Sequence, residues 1–339
     1  MRLEELDYDL PKSLIADYPV SPRDHSRLLF VDRKSGAREH LKFYQISQTL
    51  RPGDVLVLNN SKVLPARLFA RSTSSRLELL LLEPVSEDSL RWLCLVKPSR
   101  KVRNPLPLFF DGNICAMLSP ECTTGNFHIQ FDGIETGQIY QWLERVGHPP
   151  LPPYIKRPAG EEDFTTYQTV FSKHPGSIAA PTAGLHFTNT LLGELQAKGI
   201  AVEQLTLHVG YGTFSPVRCE AIEQHTMHPE RFEVPEPVQE RIARAKAAGG
   251  RIVAVGTTSL RALESMPHLG LSGRTSLYVQ PGHKFEIVDG LITNFHVPKS
   301  SLLILVSAFL GLQHTKAAYE DAISSRYRFY SYGDAMVIL

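Results

Sequence analysis

From Tyr154 onward the chain alternates short apolar runs with amphipathic ones, and most of the apolar runs end in small polar residues. That rhythm restricts it to strands feeding helices, an α/β arrangement with strand ends suited to binding. Helices are expected at 188–198, 237–248, 260–265, 300–310 and 315–327. Strands are expected at 177–180, 200–209, 251–255, 276–280 and 291–295. Pro237 opens one helix, and Gly249 with Gly250 closes it. The densest stretch is Ser177–Thr188. A strand breaks at Pro181, passes Thr182 and Gly184, and presents His186 just before Thr188, a natural N-cap. Gly199 supplies the stop. Small residues let a ligand approach the backbone, and a helix start offers free N–H groups. A packed loop holding a buried histidine is the plainer alternative.

The first 62 residues read as an extended arm, a strand at 27–32, and a buried strand at 54–58 that ends in Asn59, Asn60, Ser61 and Lys62. That polar cluster is either a ligand site at a strand end or a turn exploiting asparagine. Between 63 and 151 the texture changes to six short, evenly spaced strands (66–70, 77–82, 90–96, 106–110, 114–118, 126–131) and a closing helix at 138–146. A Pro-rich segment, 148–154, then returns to the main body. The expected fold class is α/β: a discontinuous larger domain (1–62 and 152–339) with a mixed sheet or barrel-like core, and an inserted small β-barrel (63–151).

Net charge is +1 over 339 residues, so any nucleic-acid contact must be local. Residues 62–103 carry nine Lys/Arg against four acids. Lys62, Arg67, Lys97, Arg100, Lys101 and Arg103 are candidates to grip phosphates; a solvated strand edge explains them equally simply. Cys94, Cys115, Cys122 and Cys219 match neither a zinc spacing nor a disulfide framework. The acidic N-terminal segment lacks an apolar core, and the longest greasy run, Leu302–Leu310, is too short to span a bilayer, so a cytoplasmic protein is expected. No P-loop and no dinucleotide fingerprint is present.

Four strand ends offer polar groups to one pocket: Pro181–His186; His208, Gly210 and Thr213; Gly256, Thr257, Thr258, Ser259 and Arg261; and Asn294, His296 and Lys299. The helix start at Gly256 suits an anionic group. His186, His208, His225 and His228 pose a metal-dependent hydrolase as one alternative; a non-catalytic RNA-binding protein that uses the inserted β-barrel is another.

These segments are not independent. Residues 7–11, Gly53–Asn60 with Leu64–Arg67, Cys94–Pro98, Leu151–Ile155, Ala179–Thr188, Leu207–Gly210, His225–His228, Ala254–Ser259 with Arg261, Thr293–His296 and Tyr327–Met336 run in one order almost end to end. Together they resemble the S-adenosylmethionine:tRNA ribosyltransferase-isomerases of queuosine biosynthesis. The resemblance implies transfer of the ribosyl unit of S-adenosylmethionine to 7-aminomethyl-7-deazaguanine (preQ1) at the tRNA wobble position. Epoxyqueuosine forms, and adenine and methionine leave. It implies S-adenosylmethionine as a substrate, no cofactor or metal, and a monomer acting on tRNA. On this reading His186, His208 and Asp334 are catalytic; Asp334 either balances the sulfonium or pairs with Arg328. Asn59, Asn60 and Asn294 read a base edge, Thr182 and Thr213 hold ribose hydroxyls, and Gly256–Ser259 with Arg261 hold the methionine carboxylate. Gly184, Gly210, His296 and Lys299 complete the substrate set. Tyr211, Phe214 and Tyr332 are candidates to stack on a base.

Overall fold

The computed structural model describes residues 1–73, 75–111, 114–121, 125–214, 217, 219 and 221–339, with Thr213 and Phe214 described by their backbone alone. After an arm of 3₁₀ turns come β1 (Arg27–Val31), β2 (Arg38–Lys42), β3 (Val55–Asn59) and the short β4 (Ser61–Val63). Six strands follow: β5 (Arg67–Arg71), β6 (Arg76–Pro84), β7 (Arg91–Lys97), β8 (Leu106–Phe109), β9 (Cys115–Pro120) and β10 (Phe127–Asp132). Then come α1 (Ile139–Val146), α2 (Asp163–Thr166), β11 (His174–Ser177), α3 (Asn189–Ala197), β12 (Ala201–Leu207), β13 (Glu230–Glu233) and α4 (Glu236–Ala247). The chain finishes with β14 (Ile252–Val255), α5 (Gly256–Leu269), β15 (Ser272–Thr275), β16 (Gly290–Asn294), α6 (Ser301–Leu310), α7 (Leu312–Ser324) and β17 (Ala335–Ile338).

Nine strands form one mixed sheet in the order β15-β13-β12-β3-β14-β16-β17-β1-β2. Its centre, β12-β3-β14-β16, is parallel throughout, so four C-terminal strand ends emerge along one edge. Central strands of a parallel sheet are covered on both faces, and β3, β14 and β16 are accordingly buried at every position. Alternation sorts their side chains: Val55 and Val57 join the core beneath α4 to α7, while Leu56 and Leu58 join the one beneath α3.

β5 to β10 close into the inserted barrel. Its strands alternate buried and exposed, Leu77, Leu79 and Leu81 facing Trp92, Cys94 and Val96 inside. Trp142 and Leu143 of α1 pack against that interior. The chain leaves the barrel against the point where it entered. A Cβ on Gly147 would lie 1.9 Å from the Pro65 carbonyl oxygen, and both are backbone-fixed.

Several expectations shift. The strand expected at 177–180 ends at Ser177 and pairs with β4, outside the large sheet. Beyond it the Ile178 N–H turns to the Val209 carbonyl, and Pro181 has no N–H to donate. The strand expected at 276–280 is irregular, and β15 precedes it. Arg261 takes the carbonyls of Thr275 and Leu277, so that ladder cannot continue. β2, β13 and β17 were not anticipated; β2 is mostly exposed and polar, an edge strand without an apolar signature. Thr188 caps α3 as expected, its Oγ1 accepting from Leu191 N at 3.1 Å, and Gly199 leaves the helix at φ +83°. Cys122, Ser215 and the turn at Gly112 and Asn113 lie outside the described residues.

Candidate active site

A cleft of ≈ 970 Å³, its open mouth included, lies at the C-terminal ends of the parallel strands. β14 delivers Gly256, Thr257 and Thr258, and β16 delivers Thr293, Asn294 and His296. The turn after β11 delivers Pro181 and Thr182, and Val209 follows β12. The remaining wall comes from the Pro-rich linker (Pro153, Tyr154) and the loop before β17 (Tyr330, Ser331), with Lys299 and Ser300 opening α6. So three strand ends of the large sheet meet here. The fourth contribution comes from the separate two-stranded sheet.

α5 begins at Gly256 with φ +87°, a backbone suited to glycine; among the described residues no side chain caps its first turn, whose Gly256, Thr257 and Thr258 line the cleft. Ser259 is fully buried and its hydroxyl has no partner among the described residues. Backbone strain also collects here. Lys299 (φ +56°) and Tyr330 (φ +72°) are two of four non-glycine residues in the left-handed region among the described residues, and both line the cleft. Lys299 Nζ sits 2.5 Å from Asp7 of the N-terminal arm.

Asn294 organises the floor. Its Nδ2 donates to the Tyr330 carbonyl at 3.1 Å and to His186 Nε2 at 3.2 Å; its Oδ1 has no partner among the described residues. His186 itself does not line the cleft. It is buried, stacks on Phe43 at 4.9 Å, and donates from Nδ1 to Ser26 Oγ at 2.7 Å. Burial pushes its pKa down to about 4 against the opposing pull of Asp334, so the ring is neutral and accepts from Asn294. His296 bonds Thr293 Oγ1 at 2.7 Å, and burial pushes its pKa down to about 3.

These two histidines set a pH dependence. Both are held neutral in the fold, below the ~6.5 of an unfolded histidine. As pH falls below ~6.5 the unfolded chain binds protons that the fold refuses, so stability drops. The loss runs until each folded-state pKa is passed, about 4 for His186 and about 3 for His296. The urea midpoint is expected to fall across this window, and to fall less steeply in His296→Gln.

Other sequence candidates lie elsewhere. His208 is partly buried against β11; a Cβ on Gly176 would lie 2.6 Å from its Nδ1, which has no partner among the described residues. Asp334 is buried and accepts from the N–H groups of Arg27 and Arg328 and from the Arg328 guanidinium at 3.2 Å, the pairing option of the two. Asn59 spends its amide on Leu207, Ser61 and Thr258, and Asn60 on Gln204 and Thr206. Arg261 is buried on Glu230, whose other oxygen takes the Gly210 N–H at 2.8 Å. Gly184 is required by packing, a Cβ there lying 2.8 Å from Phe171 Cζ. Tyr332 donates to Asp163 at 2.9 Å inside a small apolar cluster with Tyr167, Leu151 and Leu185. The side chains of Thr213 and Phe214 lie outside the described residues. Among the described residues no group of three His, Cys, Asp or Glu is placed to hold a metal, so the four histidines of the hydrolase alternative do not gather. Sequence reasoning missed Tyr154, Thr293 and Tyr330. All three stand inside the family-like segments, but nothing local marks them as facing a pocket.

A second groove lies between the barrel and the Pro-rich linker, lined by Arg67, Phe69, Lys97, His148, Arg157 and Tyr211, and it shares Pro153 with the cleft. Arg67 pairs with Glu78 and Arg157 with Asp163, while Lys62 pairs with Glu144 at 2.7 Å. Lys97, Arg100, Lys101 and Arg103 are exposed beside it in sequence, and Phe69 is 54% exposed.

The family model described as "Queuosine biosynthesis protein" matches residues 3–338. The chain belongs to that family. It is similar to an S-adenosylmethionine:tRNA ribosyltransferase-isomerase of Gloeobacter violaceus, 48% identical over 99% of this chain and 95% of the relative. One of Thermotoga maritima is 45% identical, with both chains fully covered. A crystal structure of an S-adenosylmethionine tRNA ribosyltransferase from Thermotoga maritima matches 99% of this chain and all of its own, at 36% identity and a TM-score of 0.57. No single helix here is long and apolar enough to cross a membrane.

Proposed function

We infer that this family member transfers and isomerises the ribosyl unit of S-adenosylmethionine onto preQ1 at the tRNA wobble position, giving epoxyqueuosine and releasing adenine and methionine. The observation that carries the reading is the cleft at the parallel strand ends, built largely from the segments that carry the resemblance. The N–H groups of α5, with the hydroxyls of Thr257 and Thr258, are suited to the methionine carboxylate. The unpartnered Oδ1 of Asn294 and the hydroxyl of Thr182 are suited to ribose and base donors. The sulfonium acidifies the C5′ protons, and the incoming amine must lose protons. His186 acts through Asn294 as a positioning group, because its two nitrogens are engaged by Ser26 and Asn294. The protein is read as a cytoplasmic monomer.

Adenine release tests this. It should require both S-adenosylmethionine and tRNA bearing the aminomethyl base; release from S-adenosylmethionine alone, or none at all, rejects the reading.

The groove beside the cleft is the proposed path of the anticodon strand, with Phe69 and Tyr211 offering stacking faces and Lys97, Arg100, Lys101 and Arg103 offering charge. The triple variant Arg100→Ala/Lys101→Ala/Arg103→Ala should weaken tRNA binding about tenfold or more at moderate salt. It should also reduce the slope of log K against log salt by roughly two to three. An unchanged slope removes these residues from the interface.

A further inference from the structure

S-adenosylmethionine carries a permanent cation whose recognition has not been assigned. A sulfonium has no N–H or O–H, so it cannot donate a hydrogen bond. It can be held only by a carboxylate, by oxygen lone pairs, or by the negative face of an aromatic ring. Among the described residues lining the cleft there is no Asp or Glu. Asp334, the acid that the sequence offers for this task, is enclosed by Arg27 and Arg328. Asp7, at the arm, is paired with Lys299. The charged features of the cleft are thus Lys299 and the positive end of α5, both suited to an anion.

What remains for a cation is the oxygen lone pairs of the cleft's hydroxyls and amide, which the ribose and base also call on, and an aromatic pair. Tyr154 and Tyr330 both line the cleft, their ring centroids 4.6 Å apart and their planes at 55°, which makes a V-shaped corner. Both residues are anchored to the loop before β17. The Tyr154 hydroxyl bonds the Ser331 hydroxyl. Tyr330 is held at φ +72° by its N–H on the Phe295 carbonyl and by its own carbonyl, which accepts from Asn294 Nδ2 and Gly333 N–H. A tyrosine held in an unfavourable backbone conformation on a pocket wall points to a role for its side chain there.

We propose that the Tyr154–Tyr330 corner is the sulfonium subsite, and that it makes the protein select the charged S-adenosylmethionine over neutral thioethers of the same shape. The proposal rests on the functional reading above. It also fits the chemistry. A carboxylate against the sulfur would offset the positive charge that acidifies C5′, whereas a ring quadrupole attracts the cation without neutralising it.

The test is calorimetric titration of S-adenosylmethionine and of S-adenosylhomocysteine, its neutral thioether analogue. It is run with tRNA that lacks the aminomethyl group, so that no turnover occurs. Wild type, Tyr154→Leu, Tyr330→Leu and Tyr154→Phe are compared, each checked for an unchanged unfolding transition. The wild type should prefer the sulfonium. Each leucine variant should lose about tenfold in S-adenosylmethionine affinity while binding the thioether within about twofold of wild type. Tyr154→Phe, which keeps the ring, should retain the preference. Equal losses for both ligands, or an undiminished preference in both leucine variants, overturns the proposal. Failure of the wild type to bind either ligand instead overturns the assignment of the cleft to S-adenosylmethionine. If Tyr330→Leu does not fold, Tyr154→Leu alone decides.

Discussion

Asn294→Ala is expected to lower single-turnover adenine release by about 10²- to 10³-fold, the range for losing one pre-organised polar group in an enclosed site. The side chain sits at the end of a central strand, is 2% exposed, and has only one direction left for its Oδ1 once Nδ2 is shared between Tyr330 and His186. Truncation removes that acceptor, strands His186 Nε2, and leaves the Tyr330 carbonyl with only the Gly333 N–H, which loosens the loop that carries the aromatic corner. Leaving a buried polar group unpaired costs about 1–3 kcal/mol, so the unfolding midpoint should fall as well. Measuring the rate at saturating substrates separates the two effects. A loss below tenfold would reduce Asn294 to packing. Ser26→Ala, which loosens His186 one step further out, should give a smaller loss of the same kind if the relay Ser26–His186–Asn294 positions the amide.

Glu230→Ala is expected to destabilise the protein by about 3–5 kcal/mol, the usual cost of removing one partner from a buried ion pair. Arg261 is 3% exposed and Glu230 5%, so the guanidinium left behind cannot reach water without opening the core. The same carboxylate holds the Gly210 N–H, and Arg261 also ties down the carbonyls of Thr275 and Leu277. The pair therefore fastens the turn after β12 to α5, the helix whose first turn lines the cleft. Denaturant unfolding should show the loss. The double variant Glu230→Leu/Arg261→Met should recover much of it, because two apolar groups of similar volume leave no stranded charge. If the double variant is no more stable than the single, the pair is not the origin of the effect.

Arg261 also shows where sequence reading stops. It stands one turn into a helix that opens on a cleft, and its sequence position suits a carboxylate clamp. Its direction is set by an acid 31 residues earlier, on a strand that no apolar run announced. Asp334 is a milder case: its sequence position offers the sulfonium or Arg328 as partner, and the fold selects Arg328. His186 stands out in its loop by sequence as a candidate for proton transfer. Its burial behind Asn294, 108 residues away, is a product of packing.

Local pattern was enough for many of the elements, though not for edge strands such as β2 and β13. The period-two alternation of the barrel strands, the unbroken apolar runs of β3 and β14, the cap at Thr188 and the stop at Gly199 are each decided within a few residues by side-chain direction and backbone sterics. The run of family segments, read in order, was enough for the chemistry. Three-dimensional structure alone decided partnership: β11 joins β4 rather than the large sheet, and Tyr154 and Tyr330 meet across 176 positions of chain. It also decided which polar groups face the cleft and which satisfy one another. A strand's sequence encodes which side chains point inward, but its ladder partner is chosen by every other strand competing for the same edge. A buried charge likewise turns to whichever counter-charge the completed core brings within reach.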